Sequence, residues 1–272
     1  MSVDTSELAG VAGAATHEKW KQLGYGLLCM AAISSPQYVW TLLTKPMMAQ
    51  FSVGLPELQV TFSLLIILQT FFSPFQGKLI DYFGARRLIA LGTLLSGLSW
   101  VLSAQVHQLA MLYLVYGGLG GLGTGIVYVG VVGLVVQWFP SQRGFAAGIV
   151  AAGYGMGAIV TTFPVSHLLD TRGLNFTLTV FGLMFAMVGF LASQGLKYPP
   201  ASGSTEAAHP AVQGQKQFTA PAMLRQPLFW LLFCMMTFMA TSGPMVASQV
   251  AIFSPDSGVR PVVLFGLSAG SD

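Results

Sequence analysis

Long apolar stretches alternate with short polar ones along most of the chain. Apolar runs cover about 22–44, 57–80, 87–105, 109–137, 145–169 and 174–194. Each has roughly the 20 residues that a helix needs to cross a hydrocarbon core of about 30 Å. A lone strand in lipid would leave its N–H and C=O groups unpaired, so these runs are predicted to be helices. A polar stretch follows over 195–225, then a seventh apolar run over 226–250. A last apolar piece starts at Pro261 and ends at Asp272, too short to cross.

Composition turns this pattern into a class. The 272 residues are 54% hydrophobic and 8% charged, with a mean hydropathy of +0.69. A soluble domain carries about 25% charged residues. So few charges cannot cover a water-facing surface, and an all-α integral membrane protein is expected. Cys29 and Cys234 both fall in apolar runs, without disulfide or metal-ligand spacing. Neither a metal nor a cofactor is expected. The first 18 residues are polar and hold Asp4, Glu7 and Glu18, so no cleavable signal peptide is expected in them.

The placement of bases orients the chain. With the N-terminus in the cytoplasm, the cytoplasmic side collects Lys19, Lys21, Lys78, Arg86, Arg87, Arg143, Lys197, Lys216 and Arg225. The other side holds Lys45, Arg172 and Arg260, so the count is nine against three in favour of this orientation. The expected organisation is a cytoplasmic tail over 1–21 and a six-helix half over 22–194. A cytoplasmic linker follows over 195–225, rich in Pro, Gly and Ser around Pro199, Pro200, Gly203 and Pro210. Residues 226–272 would begin a second half, with span seven and an incomplete span eight. The chain is therefore expected to be a fragment or a truncated product.

The loop between spans two and three reads Gly77-Lys-Leu-Ile-Asp-Tyr-Phe-Gly-Ala-Arg-Arg87. Glycines suit a tight turn between helices. Arg86 and Arg87 suit a face with anionic headgroups. Asp81 has no electrostatic reason to be there and is a candidate latch onto an arginine or a helix N-terminus. The segment resembles the signature loop of the major facilitator superfamily through Gly77, Leu79, Asp81, Gly84, Arg86 and Arg87. Tyr82 and Ala85 depart from it, both where a base is usual. The resemblance implies a six-helix N-terminal bundle followed by a second bundle, with Gly77, Asp81, Gly84, Arg86 and Arg87 in a conformational-gating loop.

Glycines recur every four residues in span four, at Gly117, Gly121 and Gly125, and again in span five, at Gly153 and Gly157. Such spacing lets helix backbones approach closely, for fixed packing or for sliding. No lysine follows these glycines, which excludes a nucleotide-binding loop.

Polar groups inside spans are costly and therefore informative. Span one carries Ser34-Ser35-Pro36-Gln37-Tyr38 and Trp40, and Pro36 should bend it. Tyr128 lies in span four and Tyr154 in span five. Each tyrosine alone reads equally well as a hydrogen-bonded packing residue. Together, three hydroxyls and one amide suit a small oxygen-rich solute. The runs SSPQYVWTL, GTGIVYVG, WFPSQRGFAAGIVAAGYGMGA and LRQPLFWLLF resemble the oxalate/formate antiporter family, and the similarity covers most of 20–265. It implies a small carboxylate as substrate, bound by Gln37, Tyr38, Tyr128 and Tyr154.

No Lys or Arg lies deep in a complete span, although a desolvated dianion needs a cationic partner. In the resembled family an Arg and a Lys of the second half fill that need. No acid sits mid-span as a proton relay, and the Arg-x-x-Gln-Gly run of proton-coupled drug exporters is absent from span four. His107 falls in an outer loop and His167 near an outer helix end, positions that suit interfacial residues. No paired acids, activated nucleophile or metal ligands mark an enzyme. The expected protein is a secondary carrier exchanging small organic anions by alternating access, multi-pass in a bacterial inner membrane, inactive as this stretch alone. Its partners would be a small carboxylate and the bilayer, not nucleic acid. The alternatives are a proton-coupled monocarboxylate transporter and a non-transporting truncated membrane protein.

Overall fold

A computed structural model describes residues 5–199, 225–235 and 238. The chain divides into two compact units, Met1–Ser202 and Gly203–Asp272. In the second, residues 227–235 are helical. Most of the expected span seven, the short apolar piece from Pro261 and the 200–224 part of the linker lie outside the described residues.

The first unit is helical throughout, with no strand among the described residues. Its elements are α1 (Thr5–Tyr38), α2 (Trp40–Phe51), α3 (Leu55–Phe71), α4 (Ser73–Phe83), α5 (Ala85–Ser103) and α6 (Leu109–Leu112). A π-helical segment (Tyr113–Leu119), α7 (Gly120–Trp138), α8 (Arg143–Arg172) and α9 (Leu174–Gln194) complete it. Four spans are continuous: Ala85–Ser103, Leu109–Trp138, Arg143–Arg172 and Leu174–Gln194. Two bent pairs, His17–Tyr38 with Trp40–Phe51 at 46° and Leu55–Phe71 with Ser73–Phe83 at 55°, pass the same length and apolarity test together, which gives up to six spans. Numbered along the chain, they make spans 1 to 6.

The N-terminal stretch is helical from Thr5. Its composition accounts for this, since Ala, Glu, Leu and Lys dominate residues 7–19 and all favour helix. The bend in span 1 follows from Pro36, which has no N–H to give the preceding turn. Span 2 bends at Phe72, where Pro74 stands in the first turn of α4. Pro74 sends the same signal as Pro36, and the apolar pattern alone hides it. Gly84 joins spans 2 and 3 with φ at +85°, a conformation that a side chain resists.

Span 4 packs between spans 2 and 3, span 3 also packs on span 6, and span 1 meets spans 4, 5 and 6. Glycines set these distances. A Cβ on Gly117 would sit 2.8 Å from the Thr61 carbonyl oxygen, and one on Gly121 would sit 2.6 Å from that of Leu65. Those glycines seat span 4 on span 2. A Cβ on Gly157 would fall 2.5 Å from the Ala31 Cα, and one on Gly153 would collide with Leu27. Those glycines seat span 5 on span 1. The outer faces are apolar: Phe71 is 75% exposed, Phe163 68% and Leu114 65%. A soluble monomer does not expose apolar area on that scale, whereas lipid covers it at no cost.

At one end of the bundle the segment 195–198 is tied down by hydrogen bonds. The fully buried Gln22 side chain donates to the Gly195 carbonyl at 3.0 Å and accepts from the Lys197 N–H at 2.8 Å. The Trp138 indole donates to the Lys197 carbonyl at 2.8 Å. The Ala85 N–H donates to the Tyr198 hydroxyl at 2.9 Å. Free N–H groups of a helix start need such acceptors.

Candidate functional site

The break in span 1 is where the polar residues gather. Val39 N–H still reaches the Ser35 carbonyl at 2.9 Å, but Leu42 N–H takes the Val39 carbonyl, three residues back, at 3.0 Å. The helix tightens there and restarts in a new direction. Two partners fix the break from outside. The fully buried Tyr116, in the π-helical segment of span 4, donates its hydroxyl to the Pro36 carbonyl at 2.8 Å. The Ser35 and Thr161 hydroxyls, from spans 1 and 5, are 2.8 Å apart. Trp40, just past the break, packs on Tyr116 with ring centroids 4.9 Å apart. A π-helical turn re-aims the side chains of its span, and here it carries Tyr116 to span 1.

Gln37 and Tyr38 are the last residues of α1, half-buried and half-exposed respectively. Tyr154 is buried on span 5 and donates its hydroxyl to Gln37 Oε1 at 2.8 Å. Its ring lies edge-on to Tyr38, with centroids 5.5 Å apart, and to Tyr128, at 5.6 Å. All four residues singled out in the sequence thus meet in one cluster drawn from spans 1, 4 and 5. Among the described residues, the hydroxyls of Tyr38 and Tyr128 have no hydrogen-bond partner. The cluster offers neutral donors and aromatic edges, and no cation.

One member escaped the sequence reading. Gln69, on span 2, donates Nε2 to Gln37 Oε1 at 3.4 Å. It passes the same test as the others, being an amide inside the apolar run Thr61–Phe72. Only the fold shows that it faces Gln37.

The loop residues Gly77, Asp81, Gly84, Arg86 and Arg87 lie at the α4–α5 turn. Arg86 donates to the Gln194 side chain at 3.0 Å. Asp81 is exposed and has no hydrogen bond or ion pair among the described residues. The bonds to side chains described at this turn are those of the Ala85 N–H with Tyr198 and of Arg86 with Gln194. No group of three metal-ligating side chains exists among the described residues. An open groove of about 550 Å³ lies between spans 2, 3 and 4, walled by Phe75, Leu79, Leu91 and Leu122, and it shares no residue with the tyrosine cluster.

Four to six apolar spans with a polar cluster set within them define a multi-pass helical membrane protein. Residues 24–271 match the Major Facilitator Superfamily, and the chain belongs to that family. It is 29% identical to the oxalate:formate antiporter of Oxalobacter formigenes over 260 residues, which are 96% of this chain and 60% of that protein. It is 27% identical to the uncharacterized MFS-type transporter YhjX of Escherichia coli (strain K12) over 225 residues, 83% of this chain and 55% of that protein. Mouse monocarboxylate transporter 14 is 33% identical over 100 residues, 37% of this chain and 20% of that protein. The chain spans 60% or less of the length of these relatives.

Proposed function

We propose that this chain belongs to a secondary carrier that exchanges small carboxylates across a bacterial inner membrane by alternating access. The observation that carries the proposal is the convergence of Gln37, Tyr38, Tyr128 and Tyr154 from three spans. Carboxylate oxygens only accept hydrogen bonds, so a cluster of hydroxyl and amide donors suits them. The similarity to an oxalate:formate antiporter points the same way. Neutral donors position an anion without neutralising it, so the proposal requires positive charge supplied from outside the six spans. The α4–α5 turn with Gly77, Asp81, Gly84, Arg86 and Arg87 is assigned to conformational gating. Residues 22–194 are assigned to one transporter half, 195–225 to a linker and 226–272 to the start of the next half.

Counterflow in proteoliposomes tests this. The full-length protein, loaded inside with unlabelled oxalate, should accumulate labelled oxalate and formate without an imposed proton gradient. Gln37→Ala should raise the exchange KM about tenfold or more, the usual size for losing a hydrogen bond to a charged group. Accumulation of lactate driven only by a proton gradient would instead favour the proton-coupled monocarboxylate carrier. Wild-type exchange in both Gln37→Ala and Tyr38→Phe would remove the cluster from the binding site.

A further inference from the structure

We infer that the groove between spans 2, 3 and 4 is a binding site for one anionic phospholipid, with an acyl chain in the groove and the phosphate at Lys78. The inference does not depend on the carboxylate reading, because the groove shares no residue with the tyrosine cluster.

The bend of span 2 makes the groove. On the α3 side, Gly117 and Gly121 hold span 2 against the backbone of span 4. At Phe72 span 2 changes direction by 55°. One face of α4 and its start, from Phe72 to Tyr82, then forms one wall. Leu91 and Leu95 of span 3 form the other, with Leu122 and Ile126 of span 4 as the floor. The ten residues from Phe72 to Tyr82 make that wall about 15 Å long at 1.5 Å per residue. This is half of a hydrocarbon core of about 30 Å, the depth of one leaflet.

Size and charge select the occupant. A helix 10–12 Å across and 15 Å long takes on the order of 1,200 Å³. The groove offers about 550 Å³, less than half of that. At about 30 Å³ for a group the size of a water or a methylene, it holds roughly 18 such groups, which is one acyl chain. The wall runs toward the α4–α5 turn, and Lys78 lines it. Lys78 is exposed and has no ion pair or hydrogen bond among the described residues. Its stem can lie along the apolar wall while the ammonium reaches headgroup level. Arg87 is exposed at the same turn. Asp81 does not oppose an anion there. It lies two residues from Leu79, about 200° round the helix, and does not line the groove. Tyr82 adds an exposed ring, whose hydroxyl suits the headgroup region.

Thermal melting of the detergent-purified full-length protein, titrated with dioleoyl phosphatidylglycerol or dioleoyl phosphatidylcholine, tests this. The two lipids share their chains and differ in charge. Phosphatidylglycerol should raise the melting temperature saturably, and phosphatidylcholine should do so much less. Lys78→Gln should weaken the apparent affinity for phosphatidylglycerol about fivefold, the factor for removing one base near an anionic headgroup. Lys45→Gln, at the other end of the bundle, should leave that affinity at its wild-type value. Leu91→Trp fills the groove and should remove the stabilisation, with the melting temperature in the absence of lipid close to wild type. Leu95→Trp carries the same test if Leu91→Trp does not elute as a single species. Equal stabilisation by both lipids overturns the inference, as does wild-type affinity in either Lys78→Gln or the tryptophan variant. An equal loss in Lys45→Gln means diffuse attraction to bases and overturns the site as well. Tryptophan variants that melt well below wild type without lipid would place a protein segment in the groove, which overturns the lipid as its occupant.

Discussion

Tyr116 sets a geometry that Pro36 only permits. Proline removes a donor from the helix ladder but does not say which way the chain turns. The Tyr116 hydroxyl on the Pro36 carbonyl, with the Ser35–Thr161 pair on the other side, fixes that direction. Tyr116→Phe keeps the ring packing against Trp40 and removes one buried hydrogen bond. It should destabilise the protein by about 1 kcal/mol, or roughly 2–4 °C in melting temperature. Because Gln37 and Tyr38 follow directly on Pro36, substrate protection against melting should also weaken. An unchanged melting temperature in detergent would mean that packing alone sets the bend. At this scale the sequence was readable where a polar group stood out against an apolar background, as Gln37, Tyr38, Tyr128 and Tyr154 do. Gln69 and Tyr116 stand out equally, yet their roles depend on partners 32 and 80 residues away, a relation that no local pattern contains.

Between elements, small residues decide which spans touch. Gly121 faces the Leu65 backbone, which cannot move aside as a side chain would. Gly121→Ala should therefore push span 4 off span 2 and cost about 1–3 kcal/mol, the range for overpacking a tight core. Gly133 lies on the same helix with nothing within 4 Å of its would-be Cβ. Gly133→Ala should be neutral or stabilising by about 0.5–1 kcal/mol, through helix propensity alone. Melting curves of the two variants side by side check this, and equal behaviour would sink the packing assignment. The four-residue spacing in span 4 was visible in the sequence, but not the neighbour it serves. The limits of spans 2 to 6 were legible to within a few residues because hydropathy changes sharply at the membrane face, whereas span 1 runs on to Phe51, well past the expected residue 44. The 55° bend of span 2 was not, since Pro74 near the end of a long apolar run reads as easily as a loop residue.

Across the whole molecule the sharpest asymmetry is charge. Lys19 lies over the Phe139 ring at 5.6 Å, and Trp20 packs on Phe145, which gathers the start of span 1 with the start of span 5. Gln22, Ala85 and Trp138 all bond to the 195–198 segment, which adds the start of span 3 and the ends of spans 4 and 6. Lys19, Lys21, Lys78, Arg86, Arg87, Arg143 and Lys197 are therefore carried at one end of the bundle, while Lys45 and Arg172 belong to the other. Basic residues near span ends are retained on the cytoplasmic side, so we propose that the end with Lys19 faces the cytoplasm. Gln142 and Thr171 are exposed and sit at opposite ends of α8, which makes them a matched pair of reporters. In a background with Cys29 and Cys234 replaced by serine, Thr171→Cys should react with a membrane-impermeant maleimide on intact cells. Gln142→Cys should react only after the membrane is opened. The reverse pattern would invert the topology and place the α4–α5 turn outside, which would also remove the reason for its arginines to lie against cytoplasmic headgroups.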